Sequence, residues 1–311
     1  MSDDADIVKQ ILSGFGSRGF AVIQYAGGDN FILKELMSAI SRAPCKRCTL
    51  VEVFGGGGVV SQHAPRSKFK VIIYNDIDSL LTEFYSYLKQ NPDMLQKVLA
   101  LIPYSREFHK AFLEIMDKHA DELRGIVAAS VLFYVANTAF LGKIGSMDFD
   151  VAKKMNNKAR TFSGRVQRIV EASRRFRDVV IENLDFEECV KRYDSTSTVF
   201  YLDPPYLSSD RTNRSSYYRF SFSENDVARL VRILNGIQGY YLLKLHEDQL
   251  PHYSGLNYRS RKEITKCLFM SKEKDNRRLW RVVLLANYDL SGGLPAGTSS
   301  KFLIRSLREE A

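Results

Sequence analysis

A short apolar run, Thr49-Leu50-Val51-Glu52-Val53-Phe54, stops at four successive glycines, Gly55-Gly56-Gly57-Gly58. A second run, Phe69 to Tyr74, stops at Asn75-Asp76, and helical periodicity follows from Ser79 to Gln90. Strand, loop, strand, helix in that order opens a doubly wound α/β fold, whose ligands sit outside the carboxyl ends of parallel strands. Apolar runs at Val179 to Ile181, Val199 to Leu202 and Tyr240 to Leu245 supply further strands, with Leu279 to Asn287 as a last member. From about Pro103 to Gly164 the pattern is helical with basic loops and no strand signal, which marks an inserted helical subdomain. The expected organisation is a discontinuous core over residues 20–102 and 165–295, an insertion over 103–164, and terminal segments 1–19 and 296–311.

Composition narrows the partners. With 311 residues, 45% of them hydrophobic, the chain can bury a large core. Its formal charge of +9, from 45 Lys+Arg against 36 Asp+Glu, favours a polyanion, nucleic acid first. Cys45-Lys46-Arg47-Cys48 has the spacing of a redox pair or half a zinc site, but no second pair or neighbouring histidine completes it. The expectation is two reduced thiols and no metal. Met1-Ser2-Asp3-Asp4 lacks the basic flank and apolar stretch of a secretory signal. Ile126 to Leu141 is too short to span a bilayer and carries Asn137, so it reads as a buried helix. A soluble cytoplasmic protein is expected.

The glycine run allows close approach of a bulky ligand, since a backbone without side chains reaches positive φ unstrained. It lacks the G-x-G-x-x-G spacing, and no G-K-[ST] follows, so the dinucleotide and P-loop fingerprints are not met. Asp76, at the end of the next strand, stands where nucleotide-binding folds place the acid that takes ribose hydroxyls. Together they point to an adenosine-bearing cofactor.

The run Val199 to Leu202 ends in Asp203-Pro204-Pro205-Tyr206. Two prolines hold the backbone off helix and ladder geometry and leave their carbonyls to accept hydrogen bonds. A carboxylate before them and an aromatic ring after them make a holder for a flat, amino-bearing ring. The stretch from Arg211 through Arg214, Tyr217 and Tyr218 to Arg219 is too polar for core and reads as a loop that closes on nucleic acid. Lys143, Lys153, Lys154, Lys158, Arg160 and Arg165 in the helical block are candidates for phosphate contact. Ser223-Glu224-Asn225-Asp226 reads as a helix start.

Taken in order, five short motifs resemble the D12 class of DNA adenine-N6 methyltransferases, in which the glycine motif precedes the catalytic motif with the target-recognition region between. They are Tyr25-Ala26-Gly27-Gly28, Phe54-Gly55-Gly56-Gly57-Gly58, Asn75-Asp76-Ile77-Asp78, Asn183-Leu184-Asp185-Phe186 and Asp203-Pro204-Pro205-Tyr206. The resemblance implies a Rossmann-like methyltransferase sheet with a helical target-recognition insertion, S-adenosylmethionine as cofactor and double-stranded DNA as substrate. It places Tyr25 and Ala26, with Gly27 and Gly28, near the cofactor's methionine end and Phe54 with the glycine run against its body. Asp76 falls on the ribose and Asp185 with Phe186 at the adenine. Asp203 to Tyr206 would be catalytic, with Asp203 also at the cofactor, and Lys143, Arg211, Arg214 and Arg219 would contact DNA. Where the family commonly has lysines, this chain has Gln24 and Asp29. The implied reaction is methylation of N6 on a flipped-out adenine, as in restriction-modification. Adenine methylation in RNA, a non-catalytic DNA-binding relative, and a Rossmann oxidoreductase, which the glycine spacing disfavours, are the alternatives.

Overall fold

The computed structural model describes residues 21–25, 28, 30, 32–151, 157–207, 219–267 and 279–291. Helix α1 (Leu33–Ser41) leads into β1 (Cys48–Glu52), a short α2 (Val59–His63), β2 (Phe69–Asn75) and α3 (Ser79–Gln90). A helical block follows: α4 (Pro92–Leu101), α5 (Arg106–His119), α6 (Gly125–Thr138), α7 (Lys158–Gln167) and α8 (Ile169–Phe176). The chain then runs through β3 (Val179–Glu182), α9 (Phe186–Tyr193), β4 (Thr198–Leu202), α10 (Glu224–Asn235), β5 (Tyr240–His246), β6 (Ser260–Cys267) and β7 (Leu279–Ala286).

The strands form one sheet in the order β3-β2-β1-β4-β5-β7-β6. Strands β1 to β5 are parallel, and β7 runs antiparallel to both neighbours. The order reverses between β1 and β4, and such a switch point opens a crevice at the strands' carboxyl ends. That crevice brings the Phe54–Gly58 loop beside Asp203, far away in sequence. Both faces are covered, so the central strand β4 is buried along its whole length. Val199 and Tyr201 pack on the face covered by α1 and the helical block, whereas Phe200 and Leu202 face α9 and α10.

Helix starts follow their caps. Asp78 accepts from Leu80 N to begin α3, and Ser223 and Asp226 form a reciprocal capping box at α10, as the sequence predicts. Helix α6 is apolar all round and buried continuously from Ala128 to Thr138, which suits a helix enclosed by its neighbours rather than one facing water. Leu113, Met116, Leu132, Phe133 and Phe162 of the helical block share one buried cluster with Leu50, Ile72 and Tyr201 of the sheet. The block therefore shares the sheet's core instead of enclosing one of its own; periodicity shows that a helix has an apolar stripe, not what the stripe is buried against.

Two expectations are corrected. Strand β6 has no counterpart in the sequence reading, because SRKEITKC interleaves charges; an edge strand with one neighbour needs no continuous apolar run. Cys45 and Cys48 are not reduced thiols but a disulfide, with Cα atoms 5.9 Å apart. Arg47, at φ 54°, turns the chain so that the two side chains meet at the start of β1, and no second cysteine pair is needed.

Candidate active site

A cleft opens where β1, β2 and β4 end, between the glycine loop and the Asp203 corner. Four carboxylates line it, Glu52, Asp76, Asp78 and Asp203, with Phe54, Ile77 and Phe220 as apolar walls. Tyr25, Gly28 and Arg219 complete its rim.

Glu52 ends β1 and is buried, and its two oxygens accept from Val60 N at 3.2 Å and Ser61 N at 2.7 Å. It thus satisfies the open N–H groups of α2 and fixes the helix against the strand. Asp76 accepts from Gly56 N and Asp78 N, both at 2.8 Å, tying the two loops together. Burial pushes its carboxyl up to about 7, outweighing the backbone N–H donors that pull the other way. Asn75 donates to the Val53 and Leu184 carbonyls and accepts from Leu184 N, joining the loops after β1, β2 and β3. Neither Glu52 nor Asn75 figures among the sequence-derived site residues, although each sits at a strand's carboxyl end, where such residues belong.

The glycines answer to the protein's own packing as much as to a ligand. A Cβ on Gly55 would lie 2.3 Å from the Tyr74 ring. Gly58 has φ +61°, and a Cβ there would meet Phe176 at 2.7 Å and the Tyr85 hydroxyl at 3.0 Å. Tyr85 and Phe176 are stacked with centroids 4.3 Å apart, and Tyr74 lies 4.6 Å from Tyr85. These rings fill the space behind the loop, and the loop closes on them because it has no side chains there.

Asp203 follows β4 directly, and its Oδ2 accepts from Lys244 Nζ at 2.7 Å. Lys244, in β5, is buried. Pro205 lines the cleft, Pro204 is buried, and half-buried Tyr206 meets His246 edge to face at 6.1 Å. Leu207 N donates to buried Gln249 Oε1 at 2.9 Å, anchoring the far side of the corner. A lysine inside the apolar run Tyr240 to Leu245 was the available signal for Lys244.

Other sequence-derived residues are placed elsewhere. Asp185 caps α9 and pairs with Arg229 at 2.6 Å, and Phe186 packs on Phe54 and Phe222 at 5.7 Å each. Neither lines the cleft, but Phe186 backs Phe54, which does. Arg219 is held by Asp78 at 2.5 Å across the cleft mouth. Arg165 donates to Gln24 Oε1 at 2.9 Å and Asn137 Oδ1 at 2.6 Å, so a cation stands beside Gln24 although that residue is neutral. Lys158 pairs with Asp150 at 2.6 Å, Arg160 is exposed and Lys143 is half-buried. Ala26, Gly27, Lys153, Lys154, Arg211 and Arg214 lie outside the described residues.

Residues 25–266 match the D12 class N6 adenine-specific DNA methyltransferase family, a span that takes in all five motifs. The chain belongs to this family. It is a DNA adenine methyltransferase, and methyltransferases of this family use S-adenosylmethionine. It is similar to the type II methyltransferase M.MjaIII of Methanocaldococcus jannaschii, 24% identical over 230 residues that cover 68% of this chain and 77% of that one. The type II methyltransferase M1.LlaDCHI of Lactococcus lactis subsp. cremoris is 27% identical over 185 residues, 57% of this chain and 63% of that one. No helix among the described residues of the methyltransferase is long and apolar enough to cross a membrane.

Proposed function

We propose that this methyltransferase holds S-adenosylmethionine in the cleft at the ends of β1, β2 and β4 and methylates N6 of an adenine flipped out of duplex DNA at a specific sequence. The observation that carries the reading is the Asp203 corner opening onto a cleft with three further carboxylates. Such a cleft suits a ligand with net positive charge and repels the phosphates of NAD or ATP. When bound, the cofactor supplies an electrophilic methyl group on a sulfonium. Phe54, Ile77 and Phe220 offer apolar surface for a nucleoside base. Asp76, whose two oxygens offer about four acceptor positions, would accept from ribose hydroxyls.

Adenine's exocyclic nitrogen is a weak nucleophile because its lone pair is delocalised into the ring, and attack requires it to become tetrahedral. The Asp203 carboxylate and the Pro204 carbonyl, accepting from its two hydrogens, favour that geometry and the charge that develops. Prior deprotonation is not the route, since a carboxylate of pKa about 4 cannot ionise an aromatic amine. Holding the reactants in line is worth up to about 7–11 kcal/mol. The target atom is inaccessible inside a duplex, so the base flips out, and Tyr206 would stack on it. Residues 103–164 would carry target recognition, with exposed Arg160 and half-buried Lys143 as described phosphate contacts.

Duplex DNA incubated with methyl-labelled S-adenosylmethionine is expected to carry the label as N6-methyladenine; label on cytosine or on protein overturns the reading. Duplex affinity should fall linearly on a log–log plot against salt, and a flat response would exclude a phosphate-dominated interface.

The Asp76 carboxyl gives a pH test. Its pKa of about 7 makes the acceptor form the minor one at lower pH, so cofactor affinity is expected to decline as pH falls through 7 and to level off above it. Asp76→Asn should bind the cofactor more weakly at pH 8 and flatten the dependence. Isothermal titration across that range decides it: an unchanged slope in Asp76→Asn removes Asp76 from the cofactor site.

A further inference from the structure

A buried lysine stands behind the proposed catalytic carboxylate. Lys244 is 0% exposed, in a strand where Tyr241, Leu242, Leu243 and Leu245 are buried too. An ammonium there is costly unless a counter-charge meets it, and an apolar side chain of similar volume would fill the space as well. Packing therefore does not account for it. The sheet register pairs Leu202 with Leu243, so Lys244 stands one step beyond, level with the residue that follows β4. That residue is Asp203, and Lys244 Nζ donates to its Oδ2 at 2.7 Å.

The charges around Asp203 give the contact its meaning. Across the cleft stand Glu52 from β1 and Asp76 and Asp78 from the loop after β2, with Arg219 already against Asp78. The segment after β5 brings buried Tyr253, whose phenol is pushed up by burial and then by the Asp203 charge. His246 faces Asp248 and the Tyr206 ring. The carboxylates that share the cleft favour protonation of Asp203 to the extent that they are themselves charged, and the ammonium in contact with it opposes them.

We propose that Lys244 is a positioning residue for methyl transfer, fixing the rotation of the Asp203 carboxylate and keeping it ionised so that its remaining lone pairs meet the target amine. The proposal rests on the reading of Asp203 as the amine's acceptor. A carboxylate has about four acceptor positions, so one ammonium does not exhaust it. Ionisation is what makes Asp203 an acceptor at both oxygens rather than a donor at one.

Lys244→Met tests this through the pH profile, which a merely structural lysine would not move. Loss of the ammonium raises the proton affinity of Asp203, so the acid limb of kcat is expected to move to higher pH by about 1–3 units. Because the carboxylate also loses its fixed rotation, kcat at neutral pH should fall about 100-fold with KM for DNA nearly unchanged. Combined with Asp203→Asn, Lys244→Met should add no further loss of kcat. A thermal shift with S-adenosylmethionine establishes that the variant is folded; if it is not, Lys244→Arg, which keeps the charge, is expected to leave the acid limb in place. A parental kcat and pH profile in Lys244→Met, a moved limb in Lys244→Arg, or an equal loss of kcat when Lys244→Met is added to Asp203→Asn overturns the proposal. Retained turnover in Asp203→Asn alone would instead remove the acceptor reading beneath it.

Discussion

Asp203→Asn is expected to lose methyl transfer by about 100- to 1,000-fold, the scale seen when one preorganised electrostatic contact to a developing charge is removed. Affinity for duplex DNA should barely change, because phosphate contacts dominate it. Asparagine is the informative substitution because of Lys244. Its amide oxygen still accepts from the ammonium that Asp203 Oδ2 now meets at 2.7 Å. Asp203→Ala removes counter-charge and acceptor together, whereas asparagine removes only the charge; a buried ammonium with neither costs about 3–5 kcal/mol. The two variants should therefore be equally inactive but differ in denaturation midpoint, alanine being the less stable. Single-turnover transfer of labelled methyl, filter binding at fixed salt and urea denaturation separate the three quantities. Near-parental turnover in Asp203→Asn would sink the mechanism, and equal midpoints for Asp203→Ala and the parent would sink the buried ion pair.

The second large effect falls on folding. Gly58→Ala places a methyl group in a left-handed conformation, at about 1–2 kcal/mol, and overpacks a close-packed site, at about 1–3 kcal/mol. The Phe176 carbon at 2.7 Å and the Tyr85 hydroxyl at 3.0 Å belong to stacked, fully buried rings that cannot swing aside. The sum, about 2–5 kcal/mol, is a large share of the 5–15 kcal/mol that holds a typical domain together. Gly57→Ala is the control, since its Cβ would meet Tyr25 at 3.4 Å, an ordinary contact. Urea titration should show Gly58→Ala unfolding well below the parent with unchanged slope, and Gly57→Ala close to it. Coincident midpoints for Gly58→Ala and the parent would mean that the aromatic backing does not constrain the loop.

How far the sequence speaks depends on whether the determining physics is local. Strands ending in glycine, Asn-Asp or Asp-Pro-Pro-Tyr are local signals, and β1, β2, β4 and β5 lie within a residue or two of where those signals place them. Helix α3 begins and ends as its periodicity predicts. What stays hidden depends on partners distant in the chain. Lys244 looks like an interruption in an apolar strand until β4 is laid beside β5. Arg165 reads as a phosphate contact until Gln24 and Asn137 are found at its guanidinium. The glycine run reads as an opening for a ligand, and only the fold reveals Tyr74, Tyr85 and Phe176 pressing from the other side. The resemblance sets Asp185 at the cofactor's adenine, and sequence alone does not show that its Oδ1 also serves a helix cap and Arg229.

Strand order also sets a schedule for synthesis. The ribosome delivers β1 and β2 early, but β1 stays open along one edge until β4 emerges, with Thr49 to Glu52 waiting for Thr198 to Tyr201. An unpaired apolar edge invites association with other chains, so the nascent protein is most exposed to aggregation while the helical block is being made. The last closure is later still, because β7 must slide between β5 and β6. A chain halted after residue 267 would have every carboxylate of the cleft in place, yet the strand bearing Lys244 would lack its outer neighbour. Support for Lys244, and through it for the Asp203 carboxylate, would thus be complete only once β7 has docked.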